Sequence, residues 1–329
     1  MATPMTPPSG ASAFLARNGW GNARILPLAG DASFRRYFRV VEPTRQAVLM
    51  DAPPPHEDPR PFVAIAEYLT AAGFAAPSIL AQDMAQGLVL LEDFGDLRMR
   101  EFLDVAPEDE AAIYERAIDL LIDLHEVPAA AVPPYDREVY LREVALVTEW
   151  YCPAMGLSVD EPGYVAAWEQ VLPIVEAAVA SPVTVLRDYH AENIMLLPDR
   201  DRSRGLGLLD FQDALAGHPA YDLVSLLQDA RRDVPPAIER AMLDRYIAVT
   251  GAGADFEAAY HVLGAQRNAK IVGIFTRLWK RDGKPRYLDY LPRMWGLLER
   301  DLAHPALAPV AQWFADNIPA SVRQSTPAA

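Results

Sequence analysis

At 329 residues, 51% hydrophobic and 23% charged, the chain holds too much apolar side chain to stay unfolded and is too long for one small core. Its 45 acidic residues against 30 basic ones give a formal charge of −15, which excludes a sequence-independent nucleic-acid binder, because that function needs a basic surface. One cysteine, Cys152, excludes an intrachain disulfide framework, and no CxxC or His-rich spacing suggests structural zinc.

Pro153 and the aromatics near Cys152 point to a packed thiol rather than a nucleophile. The N-terminus lacks a basic region followed by an apolar run, and no window holds about eighteen uncharged apolar residues. Neither a signal peptide nor a membrane span is expected, and the chain reads as cytoplasmic.

After a tail over 1–10, residues 11–18 pattern as a short helix. Strand-like stretches at 23–28 and 37–41 are joined by Ala29-Gly30-Asp31-Ala32-Ser33-Phe34, rich in turn formers. A third strand over 47–50 is stopped by Pro53-Pro54-Pro55. Phe62, Ile65, Ala66 and Leu69, spaced by three and four, predict a helix over 61–72 that ends at Gly73. Strands follow at 78–81 and 87–91, the latter a continuous apolar run typical of a buried strand.

From there the pattern turns helical. Ile113, Ala117, Leu120, Leu121 and Leu124 line one face of a long helix reaching about 125, and Trp168, Leu172 and Val175 lie along another. Short strands at 183–186, 194–197 and 206–209 interrupt the helices, which resume over 221–231, 236–250, 256–278 and 287–303. Strands first and helices second predict an α+β fold in two lobes. The expected division is a small β-rich lobe over 11–91, a hinge over 92–96, a larger mainly helical lobe over 97–319 and a tail over 320–329.

The chemistry concentrates in Leu186-Arg187-Asp188-Tyr189-His190-Ala191-Glu192-Asn193 and, further on, Asp210-Phe211-Gln212-Asp213. Phosphoryl transfer needs one carboxylate to orient and accept the proton of the attacking hydroxyl. It also needs an amide and a second carboxylate to hold magnesium. Any one of Asp188, Asn193 and Asp210 alone would read as a turn cap; their order, spacing and flanking strands together favour the kit.

This set resembles the catalytic loop and metal Asp of the protein-kinase-like superfamily, in its aminoglycoside and choline phosphotransferase branch. Gly217-His218-Pro219-Ala220-Tyr221-Asp222-Leu223 resembles the segment that follows the metal Asp there. Further stretches are similar to bacterial anomeric kinases of N-acetylmuramate and N-acetylglucosamine, which serve cell-wall sugar recycling. These are Gly30-Asp31-Ala32-Ser33-Phe34-Arg35-Arg36-Tyr37-Phe38, Met50-Asp51-Ala52-Pro53-Pro54 and Gly264-Ala265-Gln266-Arg267-Asn268. The run from Ile271 through Arg277 and on to Lys284-Pro285 adds to the likeness.

The resemblance implies a bilobal protein-kinase-like fold and a kinase that uses ATP with Mg²⁺ to phosphorylate the anomeric hydroxyl of an amino sugar. It implies Asp188 as the catalytic carboxylate and Asn193 and Asp210 as Mg²⁺ ligands. Gly30, Asp31, Ala32, Ser33 and Phe34 would form the nucleotide loop, with Arg35 beside it. The Glu92 carbonyl and the Phe94 N–H would read the adenine edge, and Asp222 would brace the catalytic loop from a helix start.

Two positions depart from the family pattern. The strand over 47–50 ends in Met50 where the family usually places a phosphate-gripping Lys. Either Mg²⁺ and loop amides suffice, or another cation takes over, and Arg35, Arg36 and Arg39 are nearest in sequence. Glu67, the usual partner of that Lys, then reads as a solvated helix residue. Leu186 stands where a His is common.

On the substrate side, His190 reads as a packed hydrogen-bonding strut before a base, and Asp213 as either a ligand contact or an exposed turn carboxylate. Arg267, Lys270, Arg277, Lys280 and Arg281 concentrate positive charge. They form a solvated helix face or include a residue that captures an anionic group such as a lactyl carboxylate. Trp150, Tyr151, Trp168, Trp279, Tyr287 and Tyr290 are expected mostly in the core. Two rivals stand beside this reading: a kinase of an aminoglycoside, choline or homoserine, and a non-catalytic kinase-like nucleotide binder suggested by Met50.

Overall fold

The structure, a computed structural model, describes residues 5–30, 34–177, 181–200 and 205–323. In chain order it forms α1 (Ala11–Arg17), β1 (Arg24–Gly30), β2 (Arg36–Glu42), β3 (Arg45–Asp51), α2 (Arg60–Ala71), β4 (Ile79–Asp83), β5 (Leu88–Glu92) and α3 (Met99–Val105). Then come α4 (Glu110–Glu126), α5 (Arg137–Val144), α6 (Cys152–Ala154), α7 (Glu161–Ala177), β6 (Val183–Val185), β7 (Ile194–Leu196), β8 (Leu206–Leu208) and β9 (Leu215–Gly217). The chain ends through α8 (Ala220–Leu227), α9 (Pro236–Thr250), α10 (Asp255–Lys280), α11 (Leu291–Leu302), α12 (Ala308–Asn317) and α13 (Ala320–Arg323). Two compact units result: Met1–Ala106 with Glu192–Asp213, and Pro107–Ala191 with Ala214–Ala329.

The first unit is built on an antiparallel sheet in the order β1-β2-β3-β5-β4. Side chains alternate across a strand, so Phe38 and Val40 of β2, Ala47 and Leu49 of β3, and Leu88 and Leu90 of β5 share one buried cluster with Phe14 and Leu15 of α1 and Trp20. Each valine, leucine and phenylalanine among them contributes roughly 1.5–3 kcal/mol by leaving water. Met5 packs on the same cluster, and the Thr6 carbonyl accepts from Arg36 Nη1 at 3.2 Å, so part of the expected N-terminal tail is tied to the sheet. The helix expected after β3 forms as α2 and buries Phe62, Ile65, Ala66 and Leu69 as its periodicity requires.

The hairpin of β7 and β8 belongs to this unit too. The Leu208 N–H donates to the Ala75 carbonyl at 2.8 Å, and the Leu196 N–H donates to the Leu97 carbonyl at 2.7 Å. Met195 and Leu197 pack with Ala75, Phe94 and Leu209. These long-range bonds draw Glu192–Asp213 to the sheet-bearing unit, although the expected lobe over 97–319 would hold it, and the expected hinge over 92–96 falls inside that unit in this division.

The second unit is helical. Most of α10 is buried, including Val262, Leu263, Ala265, Ala269 and Val272, as suits a helix surrounded by others. A Cβ on Gly273 would come within 2.4 Å of the backbone carbon of Leu146, so glycine is what allows that close approach. β6 pairs with β9, a partly exposed Leu-Ala-Gly strand without the repeated large apolar side chains that mark the other short strands in the sequence. The helix expected over 287–303 is interrupted: a 3₁₀ turn over Pro285–Tyr290 precedes α11. Pro292 lies in the first turn of α11, where its missing N–H is tolerated, as it would not be inside a longer helix.

At the C-terminus α13 occupies part of the expected tail, and Arg323 Nη1 meets Glu299 at 3.0 Å. Cys152 is buried, and burial pushes its thiol up to about 12, as fits a packed residue. Among the described residues no helix is long and apolar enough to cross a membrane.

Candidate active site

The β7–β8 ladder decides where Asn193 and Asp210 stand. Ile194 pairs with Leu208, and just beyond that rung the Leu209 N–H donates to the Asn193 carbonyl at 2.9 Å. Asp210 follows with φ 58°, a left-handed conformation that a short polar residue tolerates better than most. Side chains seventeen positions apart in sequence therefore line one cavity of about 530 Å³ within the first unit. Leu28, Val48 and Leu91 supply apolar wall, and Glu92, Asp93, Phe94 and Gly95 run along it. The size suits a small-molecule site, and the wall is mixed: apolar side chains on one part, and Glu92, Asp93, Asp96, Glu192, Asn193 and Asp210 on the rest.

The hinge-like segment is held by its own chemistry. Arg39 Nε meets Asp93 Oδ2 at 2.7 Å, and its Nη2 meets Asp96 Oδ1 at 2.8 Å. Asp93 Oδ1 also accepts the Gly95 N–H at 2.8 Å, closing a turn in which Gly95 sits at φ 79°. The Glu92 carboxylate accepts from Ser78 Oγ at 2.9 Å and pairs with Arg200, whose guanidinium lies 5.2 Å from the centre of the Phe94 ring. A Cβ on Gly207 would sit 2.7 Å from that ring, so the hairpin carries glycine where it passes Phe94.

Met50 is fully buried and shares the Val48 face of β3, two residues on. Of the three arginines near it in sequence, Arg39 is committed to Asp93 and Asp96, and Arg36 to Asp51. Arg35, only 8% exposed, is the one that meets Asp210, with Nη2 at 3.2 Å from Oδ1. Gln212 Nε2 donates to the same oxygen at 2.9 Å and to Asp213 Oδ2 at 3.1 Å. Gly30 ends β1 opposite Arg36, while Asp31, Ala32 and Ser33 lie outside the described residues. Phe34 is 64% exposed and stacks on His56, and its N–H donates to Glu57 Oε1 at 3.0 Å. Glu67 is exposed, as expected without a Lys partner.

Asp188 belongs to the second unit. β6 ends at Val185, and the next two N–H groups, of Leu186 and Arg187, donate to Asp222 Oδ2 at 2.6 Å and Oδ1 at 2.9 Å. Arg187 takes φ 69°, and the Asp188 N–H closes the turn on the Leu186 carbonyl at 2.9 Å. Asp222, fully buried in the first turn of α8, thus braces this loop by backbone contacts. Burial pushes its carboxyl up to about 7 against the pull of those two N–H groups. For Asp188, burial pushes upward as well, but its electrostatic surroundings, the His190 side chain and the positive charges of Lys270, Arg267 and Arg187, hold it below the ordinary carboxylate value.

His190 is buried, its Nε2 3.1 Å from Arg231 Nη1. A guanidinium can only donate, so this ring nitrogen accepts, and burial lowers the imidazole's pKa in the same direction. That geometry is a strut. Arg267 is buried and its Nη1 donates to the Gln228 carbonyl at 3.4 Å. Asp213 is exposed. Tyr151 and Trp168 are core, and Tyr287 and Tyr290 pack on Phe275 at ring distances of 5.3 and 5.6 Å.

Glu143 escaped the sequence reading. It is nearly buried, accepts from Tyr135 Oη, pairs with Arg187, and lies 2.9 Å from Lys270 Nζ. Burial raises a carboxyl, yet Lys270 and Arg187 outweigh it and bring Glu143 down to about 2. One signal was available: Glu143 falls on the buried stripe of α5 between Tyr140 and Val144, and a carboxylate there demands cations from elsewhere.

Asn193 and Asp210 offer hard oxygen donors, and among the described residues no group of three or more His, Cys, Asp or Glu gathers to cage a metal. An ion held there would draw its other ligands from water and phosphate. That donor set fits Mg²⁺, which keeps waters and is bound through one or two carboxylates with substrate phosphates.

A sheet-bearing unit and a mainly helical unit give an α+β fold of the protein-kinase-like kind. The chain belongs to the phosphotransferase enzyme family (APH), whose family model matches residues 24–262. It is 40% identical to an N-acetylmuramate/N-acetylglucosamine kinase of Caulobacter vibrioides, over 95% of this chain and 97% of that protein. A protein of the same name from Pseudomonas aeruginosa is 41% identical over 90% of each. Among solved structures, a choline/ethanolamine kinase family protein from Mesorhizobium loti shares the fold with a TM-score of 0.64 at 16% identity, covering 92% of this chain and 98% of that one.

Proposed function

We propose that this chain is an ATP- and Mg²⁺-dependent kinase that phosphorylates the anomeric hydroxyl of N-acetylmuramate and N-acetylglucosamine. The observation that carries the reading is the near-complete overlap, at 40% identity, with a relative bearing that kinase's name. In this reading the cavity beside residues 92–95 takes the adenine against Leu28, Val48 and Leu91, the backbone at Glu92 and Phe94 serving its edge. Asn193 and Asp210 hold the metal, and Arg35, already at Asp210, supplies the cation that Met50 cannot.

Bound Mg²⁺ would neutralise charge on the phosphate oxygens. Asp188, kept ionised by the cations around it, accepts the proton of the anomeric hydroxyl. That oxygen bonds to the γ-phosphorus as the bond to the β–γ bridging oxygen breaks, leaving ADP. Because such transition states are loose, positioning and charge neutralisation account for most of the rate. A cationic acceptor such as choline fits less well, since the positive charges of Lys270, Arg267 and Arg187 already act on the catalytic carboxylate.

The test is ADP release from Mg-ATP across anionic, neutral and cationic acceptors, with the product's phosphate position read by phosphorus NMR. Phosphate on a ring hydroxyl other than the anomeric one overturns the substrate assignment. Tight nucleotide binding without transfer to any acceptor overturns catalysis altogether.

A further inference from the structure

The second unit contains a cavity of about 500 Å³ whose charge is opposite to that of the protein. Its charged lining is Arg142, Arg187, Lys270 and Arg277 against a single carboxylate, Glu143, while its other lining side chains are apolar. Four cations and one anion leave +3 in a chain whose net charge is −15.

Glu143 does not balance all four. It pairs with Arg187 and with Lys270, the latter at 2.9 Å, and Lys270 also donates to Tyr221 Oη at 3.3 Å. Arg142 is exposed at the rim. Arg277 Nε is buried without a hydrogen-bond partner among the described residues, a state that costs free energy until an acceptor arrives. Burial lowers its pKa, with Arg281 acting in the same direction and Asp282 and Glu149 opposing. The cavity also adjoins the chemistry: Arg187 precedes Asp188 in the chain, and both Arg187 and Lys270 act on its carboxyl.

We propose that this cavity receives a carboxylate carried by the acceptor sugar, with Arg277 and Arg142 as its partners, and that it thereby sets the preference for an anionic over a neutral amino sugar. This rests on the kinase reading above. The apolar remainder of the lining suits a short alkyl ether arm such as the lactyl group, and arginine's planar fork suits a carboxylate.

The decisive quantity is the ratio of kcat/KM for N-acetylmuramate to that for N-acetylglucosamine, measured with Mg-ATP on the full chain. In Arg277→Met the ratio is expected to fall about 10- to 100-fold, the worth of a charge-assisted hydrogen bond, through KM of the anionic sugar. Arg142→Met, at the rim, is expected to lower it less, and Arg277→Lys to restore part of it. A purely structural role would move both sugars together. A ratio within about twofold of wild type in both Met variants, or in Arg142→Met alone should Arg277→Met fail to fold, overturns the proposal. If the unaltered protein phosphorylates neither sugar, the kinase reading itself fails and this inference with it.

Discussion

Replacing Asp222 with Ala removes the acceptor of two N–H groups, one buried and one partly buried, in one step. Oδ2 takes the Leu186 N–H at 2.6 Å and Oδ1 the Arg187 N–H at 2.9 Å, and no part of Asp222 reaches solvent. Each donor left without a partner costs about 1–3 kcal/mol, so the unfolding free energy should fall by about 2–6 kcal/mol, towards the lower end if water enters. The same carboxylate helps hold Arg187 at φ 69°, a conformation that costs an ordinary residue on the order of 1–3 kcal/mol. Ser225 Oγ, donating to the Arg187 carbonyl at 3.0 Å, and the Asp188 N–H, bonded to the Leu186 carbonyl at 2.9 Å, would remain.

The loop should therefore relax and carry Asp188 out of position. Urea unfolding followed by tryptophan fluorescence is a suitable assay, since Trp168 and Trp295 are buried in the same unit. Steady-state kinetics should show kcat falling far more than KM for ATP rises. Asp222→Asn keeps one acceptor but turns an NH₂ group towards the other donor, so it should not rescue. A loss below about 1 kcal/mol with kcat unchanged would refute the reasoning.

Asp188→Asn, nearly isosteric, should lower kcat by about 10²-fold or more with an unchanged melting temperature, as steady-state assays and thermal melts would show. Gly207→Ala should cost about 1–3 kcal/mol, because its Cβ would meet the Phe94 ring at 2.7 Å; a thermal melt and a Mg-ATP titration should register both lower stability and weaker binding. The Glu143 carboxyl lies at about 2 in the folded protein against 4.5 for a free group, so its stabilisation is complete above pH about 4.5 and lost as pH falls towards 2. Acid unfolding curves should show wild type losing up to about 3 kcal/mol over that window that Glu143→Gln, less stable at pH 7, has already lost.

Much of the fold was legible because its signals are local. The alternation at Phe38 and Val40, the three-and-four spacing of Phe62, Ile65, Ala66 and Leu69, and the punctuation by Pro53-Pro54-Pro55 are each settled within a few residues. β9 was missed because Leu215-Ala216-Gly217 is half-exposed and lacks the large apolar side chains that repeat in the equally short β6, β7 and β8, and the break before α11 because one proline sets no period.

The amino-acid sequence by itself singled out the candidate reacting groups of the proposed kinase. Asp188, Asn193 and Asp210 can be read as a set because carboxylates and an amide at that spacing between short strands are specified by residue type and order alone. Only the tertiary structure decided their surroundings. It chose Arg35 over Arg36 and Arg39 as the cation at Asp210, brought α5's Glu143 to Lys270 on α10, and bonded β7 and β8 to residues 75 and 97. The physical reason is distance along the chain. A charge finds its partner, and a buried N–H its acceptor, among whatever groups packing brings near, and here those partners stand up to 175 positions away.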